Sequence, residues 1–178
     1  MKKIVTLFYI LSFSLLLSQG QKIGYVNMQY IYAQNEDARL VHADVEKEAK
    51  RLQVEYESKA IYLDSLMKDY QKLELMLTDE MKLEKQQEIQ TLSMELENFQ
   101  VQYFAQPNGE IYLMLEEKMA PINELIQSAI DRVAAENSYD YVLDVSQGIV
   151  LYKLDSYDLT EMVIDKLNKM SVNTNTEE

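Results

Sequence analysis

One histidine, His42, has Arg39, Asp44 and Glu46 close by in the chain, the residue types that a general base and its orienting carboxylate would use. No Ser or Lys nucleophile constellation accompanies it, so a solvated histidine on a helix surface is the plainer reading. The 30 Asp and Glu residues could hold a metal, but the ExxH spacing of carboxylate-bridged metal bundles is absent. There is no cysteine, which removes disulfide scaffolds, CxxC redox sites and Cys-bound zinc or iron–sulfur centres. Gly20, Gly24, Gly109 and Gly148 stand alone, so neither GxGxxG nor GxxxxGK exists to cradle a nucleotide. No catalytic residue, cofactor or metal is therefore expected. The net charge of −13 also argues against nucleic acid as a partner, because little would displace counterions from phosphates. Apolar residues at 47% and charged residues at 26% argue against wholesale disorder.

With catalysis unsupported, surfaces become the subject, and the elements that present them are readable. From Asn35 to Glu116 the chain has one Gly and one Pro and is dominated by Glu, Lys, Gln, Leu and Met. Val45, Ala49, Leu52, Tyr56, Leu63, Leu66, Tyr70, Leu73 and Leu77 form a heptad seam broken only by Lys59. Ile89, Leu92, Leu96, Phe99 and Tyr103 form a second. Thr78 between them is a predicted N-cap with Asp79 and Glu80 in the turn that follows.

An antiparallel hairpin requires facing positions with a constant sum. Tyr56 with Phe99, Leu63 with Leu92, Leu66 with Ile89 and Leu52 with Tyr103 share one, centred beside Thr78, while a heptad pattern also allows other centres about half a heptad away. One continuous helix is the alternative. Each arm of the hairpin would be ~60 Å long. The polar faces suit i,i+4 pairs such as Glu46–Lys50 and Glu55–Lys59. Pro107-Asn108-Gly109 predicts a kink or loop at the arm's root.

The ends are expected to build a small body. Lys22–Met28, Tyr139–Val145 and Ile149–Lys153 read as strands, the last two joined by a turn at Gln147-Gly148. A helix is expected to start at Pro121, with Ile122, Leu125, Ile126, Ala129, Ile130, Val133 and Ala134 on one face and Asn137 ending it in a left-handed conformation. Asp158 and Glu161 form a capping-box pair for a last helix, with Leu159, Met162, Val163, Leu167 and Met170 inward. The fold class is thus α+β, mostly helical: a long antiparallel coiled-coil hairpin arm (35–119, tip near 78) projecting from a small β-sheet body (21–34 and 120–170). Open sheet edges and a thin core favour self-association.

The two ends carry signals of another kind. Lys2 and Lys3, the uncharged run Ile4–Leu17, and small residues at Ser18 and Gly20 give the pattern of a secretory signal peptide (1–20) cut after Gly20; an uncleaved anchor is the alternative. Residues 171–178 are polar and expected to be disordered.

The chain resembles the Skp/OmpH family of periplasmic chaperones. The resemblance is carried by Ile23–Gln34 (IGYVNMQYIYAQ), Val45–Lys50 (VEKEAK), Ala120–Asp144 (APINELIQSAIDRVAAENSYDYVLD), Leu151–Tyr152 and Asp158–Thr160, in the family's order. It covers nearly the whole chain after the signal segment, and its motifs are structural. The resemblance implies a homotrimer whose arms enclose a cavity for unfolded outer-membrane β-barrel proteins, in the periplasm and in reach of the outer-membrane assembly machinery. Two features depart from the family. Ser138 stands where Gly is common, which leaves the turn to Asn137. Residues 36–116 carry nine Lys/Arg against eighteen Asp/Glu, which weighs against the attraction to lipopolysaccharide or anionic lipid inferred for basic members.

Heptad position f, opposite the seam, should be polar. Here Val54, Ile61, Leu75, Met94 and Val101 are apolar, and Tyr62, Met67, Met76 and Phe104 flank the seam. Such a stripe reads either as extra helix packing or as a client-binding surface. The resemblance favours the second: an ATP-independent, non-enzymatic holdase. The alternative is an envelope adaptor or spacer that docks a folded partner.

Overall fold

The structure is a computed structural model that describes residues 20–174, with side chains described to residue 170. The signal-peptide segment before Gly20 lies outside them, as do residues 175–178. The described residues divide into two compact units, residues 36–123 and residues 20–35 with 124–174.

In the second of these, β1 (Ile23–Val26) pairs in parallel with β2 (Tyr141–Asp144), Ile23 opposite Tyr141 and Val26 opposite Asp144. Parallel pairing demands a long crossover, and here that crossover contains the other unit. β1 ends at Val26 and not at Met28, because Asn27 caps a short helix, α1 (Met28–Gln34), that the sequence reading did not foresee. The Asn27 side chain accepts from the Tyr30 N–H at 3.1 Å, and its own N–H donates to Thr160 Oγ1 at 3.0 Å. Asp144 draws three donors together: the Ser146 N–H and hydroxyl and the Met28 N–H. Burial works to raise its carboxyl, and these hydrogen bonds outweigh that and hold it below its ordinary value. Ile31, Ile126 and Val163 are fully buried, with Val26, Ala129, Val133, Leu159 and Leu167 around them.

Several expectations need correction here. The third strand does not form. Gly148 turns with φ +69°, but Ile149–Lys153 finds no strand to pair with among the described residues; Leu151 is 96% exposed and Tyr152 81%. Pro121 does not start a helix. It lies inside one continuous helix, α4 (Glu110–Glu136), where proline forfeits a single backbone bond and the helix-forming residues before it carry the helix through. The last helix, α5 (Thr160–Thr174), is not opened by a capping box with Glu161. Asp158 accepts instead from the Thr160 N–H and hydroxyl, while its own N–H bonds to Asp155. Met162 faces outward at 42% exposure, and the helix continues four residues into the stretch expected to be disordered.

A last correction concerns the end of α4. The left-handed residue is Ser138, with φ 56°, and not Asn137. The Tyr139 N–H reaches Ala134 O and the Ser138 N–H reaches Ala135 O, a Schellman arrangement that places Ser138 at the glycine-favouring position. Asn137 uses its side-chain amide to satisfy Val133 O at 2.8 Å. Lys22 adds a cation at this negative helix end, its Nζ 2.7 Å from Asn137 O. Ser138→Gly is expected to remove a left-handed penalty of about 1 kcal/mol and raise the melting temperature by ~2–4 °C, read by thermal denaturation. An unchanged or lower melting point would contradict the strain.

The other unit holds α2 (Glu36–Leu73), a single 3-10 turn (Glu74–Met76), α3 (Asp79–Phe104) and the start of α4. Thr78 caps α3 as expected, its hydroxyl accepting from the Met81 N–H at 3.3 Å. α2 and α3 form a hairpin and not one helix. Between α3 and α4 lies the expected break, with a cis Gln106–Pro107 bond and a buried Gly109. A Cβ on Gly109 would lie 2.7 Å from Ala105 O and 2.8 Å from both Ala105 N and Tyr103 O, all backbone atoms with no rotamer to yield. Gly109→Ala should therefore cost about 1–3 kcal/mol, measured by urea unfolding. Gly24 is similarly crowded, but by the ends of the Leu159 and Tyr139 side chains, which can shift.

Candidate functional site: an apolar stripe on the helical hairpin

The seam fixes which way every other hairpin residue faces. Val45, Leu52, Leu66 and Leu96 are buried. Tyr56 meets Phe99 with ring centroids 6.2 Å apart, and Phe99 meets Tyr103 at 4.5 Å, both tilted. Tyr56 opposite Phe99 is the register read from the sequence. Nearer the tip, Gln86 Nε2 donates to the Tyr70 hydroxyl at 2.8 Å, at nearly the same sum of positions. The Tyr62 hydroxyl donates to Glu88 at 3.3 Å, so this flanking tyrosine bridges the arms by its polar end and keeps its ring half outside. An ion pair from Lys118 to Asp44 ties α4 to α2 and holds the Asp44 carboxyl below its ordinary value.

With the seam inward, the stripe is outward. Val54, Ile61, Leu75, Met94 and Val101 are all exposed, Ile61 at 70% and Leu75 at 96%. Tyr62, Met67 and Met76 are exposed too, while Phe104 is half-buried. Met67 borders an open cleft of about 300 Å³ that crosses the two helices between Tyr70, Gln71, Gln86, Ile89 and Gln90. The structure brings these residues to the surface of one unit, spread along it and not gathered into a pocket.

The sequence reading missed an apolar group at the hairpin's turn. Leu73, counted in the seam, is exposed, and so are Met81 and Leu83 at the start of α3. Two helices diverging into a turn cannot bury their last seam positions. The density of Leu and Met on both sides of Thr78 was the available signal.

The charged residues form the surroundings of the stripe. Arg51 is held by Glu48 at 2.7 Å and Glu55 at 3.3 Å, Lys68 by Asp64 at 2.6 Å, and Lys85 by Glu88 at 2.7 Å. Glu55 thus pairs with Arg51 and not with Lys59. Hydrogen bonds from Arg51 and Lys85 hold the Glu48 and Glu88 carboxyls below their ordinary values. His42 is exposed on α2, and Asp44, one of the carboxylates close to it in the chain, is engaged with Lys118. Among the described residues no group of three His, Cys, Asp or Glu side chains is placed to hold a metal, and no helix is long and apolar enough to cross a membrane.

Comparison with known proteins bears on this architecture directly. The family model for outer membrane protein (OmpH-like) matches residues 22–167. The chain belongs to the OmpH-like family. Among solved structures, it is similar to one from Caulobacter crescentus described as a candidate outer membrane chaperone (OmpH-like), with a TM-score of 0.64 over 85% of this chain and 86% of that one. At 11% identity that likeness is one of fold. No curated protein matches the chain. The long helices and small sheet described above match the mostly helical α+β class that the sequence reading expected, with two strands in place of three.

Proposed function

We propose that this OmpH-like protein is an ATP-independent, non-enzymatic holdase that binds unfolded outer-membrane β-barrel proteins and keeps them from aggregating on the way to the outer membrane. The observation that carries the reading is the exposed stripe of Val54, Ile61, Met94 and Val101, at positions where a two-helix hairpin needs only polar residues. Such side chains bind apolar segments weakly and without fixed geometry, which suits an unfolded client. The description of the Caulobacter crescentus structure as a candidate outer membrane chaperone supports the same reading. With no nucleotide motif in the sequence, release follows from handover to a better binder, such as the outer-membrane assembly machinery.

The working form in this proposal is a homotrimer in the periplasm, freed by cleavage after Gly20. Ile149, Leu151, Tyr152 and Leu154 are exposed beside an apolar cleft of about 290 Å³ that reaches Tyr25, Leu143 and Tyr157, which a second copy could cover. Three arms would turn several weak contacts into useful retention. The decisive experiment adds the purified protein to a denatured β-barrel protein diluted from urea and follows turbidity. Suppression with several unrelated clients supports the holdase. No suppression, with capture of one folded envelope protein instead, would replace it with an adaptor. Light scattering on the same sample should report three copies.

A further inference from the structure

The hairpin neutralises several of its own bases, as the pairs of Arg51, Lys68 and Lys85 show, and an excess of acid remains. Between Lys85 and Lys118 the chain has six Asp/Glu and no Lys or Arg. That stretch contains Met94 and Val101, the share of the stripe on α3. Glu97 lies three residues after Met94 and four before Val101, hence on the same helix face between them. Glu57 holds the equivalent place on α2, between Val54 and Ile61. All six residues are exposed. The Tyr56–Phe99 ring contact puts residues 57 and 97 at about the same level of the hairpin. Neither carboxylate is in an ion pair among the described residues; Glu57 accepts a neutral amide hydrogen bond from Gln53 at 3.0 Å.

We propose that the stripe selects cationic apolar segments of unfolded chains, with Glu57 and Glu97 receiving client Lys or Arg while the neighbouring apolar residues receive the rest. This rests on the docking role proposed above and adds the chemistry of the partner. Lys and Arg suit both halves of the surface. Their aliphatic stems lie on Val54, Ile61 or Met94, and their charged heads reach the carboxylates. The acidic field steers such segments inward and repels acidic chains and anionic lipid surfaces alike.

The test uses two dye-labelled unstructured peptides of identical Leu and Val content, one with lysines and the other with glutamates at the same positions. Anisotropy titrations of the full-length protein should show the lysine peptide binding roughly tenfold more tightly in low salt. The gap should close as salt shortens the screening length to ~3 Å at 1 M. Glu57→Gln with Glu97→Gln should weaken the lysine peptide by roughly fivefold and leave helicity unchanged, since both side chains are exposed. Equal affinity for the two peptides, or preference for the glutamate peptide, overturns this inference and leaves the holdase reading standing. A preference that survives the double variant overturns the assignment to Glu57 and Glu97. If neither peptide binds, the docking stripe itself is wrong, and this inference goes with it.

Discussion

Val54→Ser, Ile61→Ser, Met94→Ser and Val101→Ser together are expected to remove most of the protection that the proposed holdase gives to an unfolded β-barrel client, with helix content and oligomer mass unchanged. The four side chains are already exposed on the hairpin, so their removal opens no cavity within it. At about 25 cal/mol per Å² of apolar area, each offers on the order of 1 kcal/mol to a client segment. Four together set a ceiling of roughly three orders of magnitude in affinity per arm. Client turbidity should therefore rise at protein concentrations where the unchanged chain still suppresses it. Far-UV circular dichroism and light scattering are the controls. Loss of helix or of assembly with protection intact would mean that the stripe packs against another copy and that clients bind elsewhere. Loss of everything would send the same residues to the core.

The helical hairpin was legible because its determinants are local and periodic. The seam's heptads, the Thr78 cap and the balance of positions about the turn each fix geometry within a few residues, and the Tyr56–Phe99 contact sits where the periodicity put it. The small unit was read less well because its determinants are not local. Ile149–Lys153 has the composition of a strand, yet a strand needs a neighbour, and nothing in the order of residues says whether the same chain supplies one. Asn27 reads as part of a strand in the sequence, and the residue that its N–H bonds to, Thr160, lies far along the chain. Ser138 is instructive in the other direction. The family resemblance implies glycine at this position, which fits the left-handed turn, whereas Asn's own tolerance of that conformation places the turn one residue too early. For the candidate site, exposure of the f positions follows from the heptad arithmetic. The apolar turn at Leu73, Met81 and Leu83 does not, since a repeat cannot say where two helices stop touching.

The same distinction between seam and surface sets the second large effect. Leu66→Ala with Leu96→Ala should unfold the hairpin unit under conditions where the stripe variant is intact. Both leucines are buried in the seam, and each truncation costs about 2–5 kcal/mol in lost burial and cavity. Residues a turn or more apart along the seam add approximately, so the pair approaches the 5–15 kcal/mol that a whole domain commands. Alanine is the strongest helix former, so a fall in helicity could not be blamed on intrinsic propensity and must come from lost packing between α2 and α3. Leu63 and Leu92, equally central in the heptad pattern, are only half-buried, and the matching pair of alanines there should cost clearly less. Hydrogen exchange read peptide by peptide locates the damage. Protection should drop across residues 45–100 and persist around Ile126 and Val163, whose burial belongs to the other unit. Uniform loss across both units would show that the two fold as one cooperative block, and an undisturbed exchange pattern would show that the seam is not what holds the hairpin.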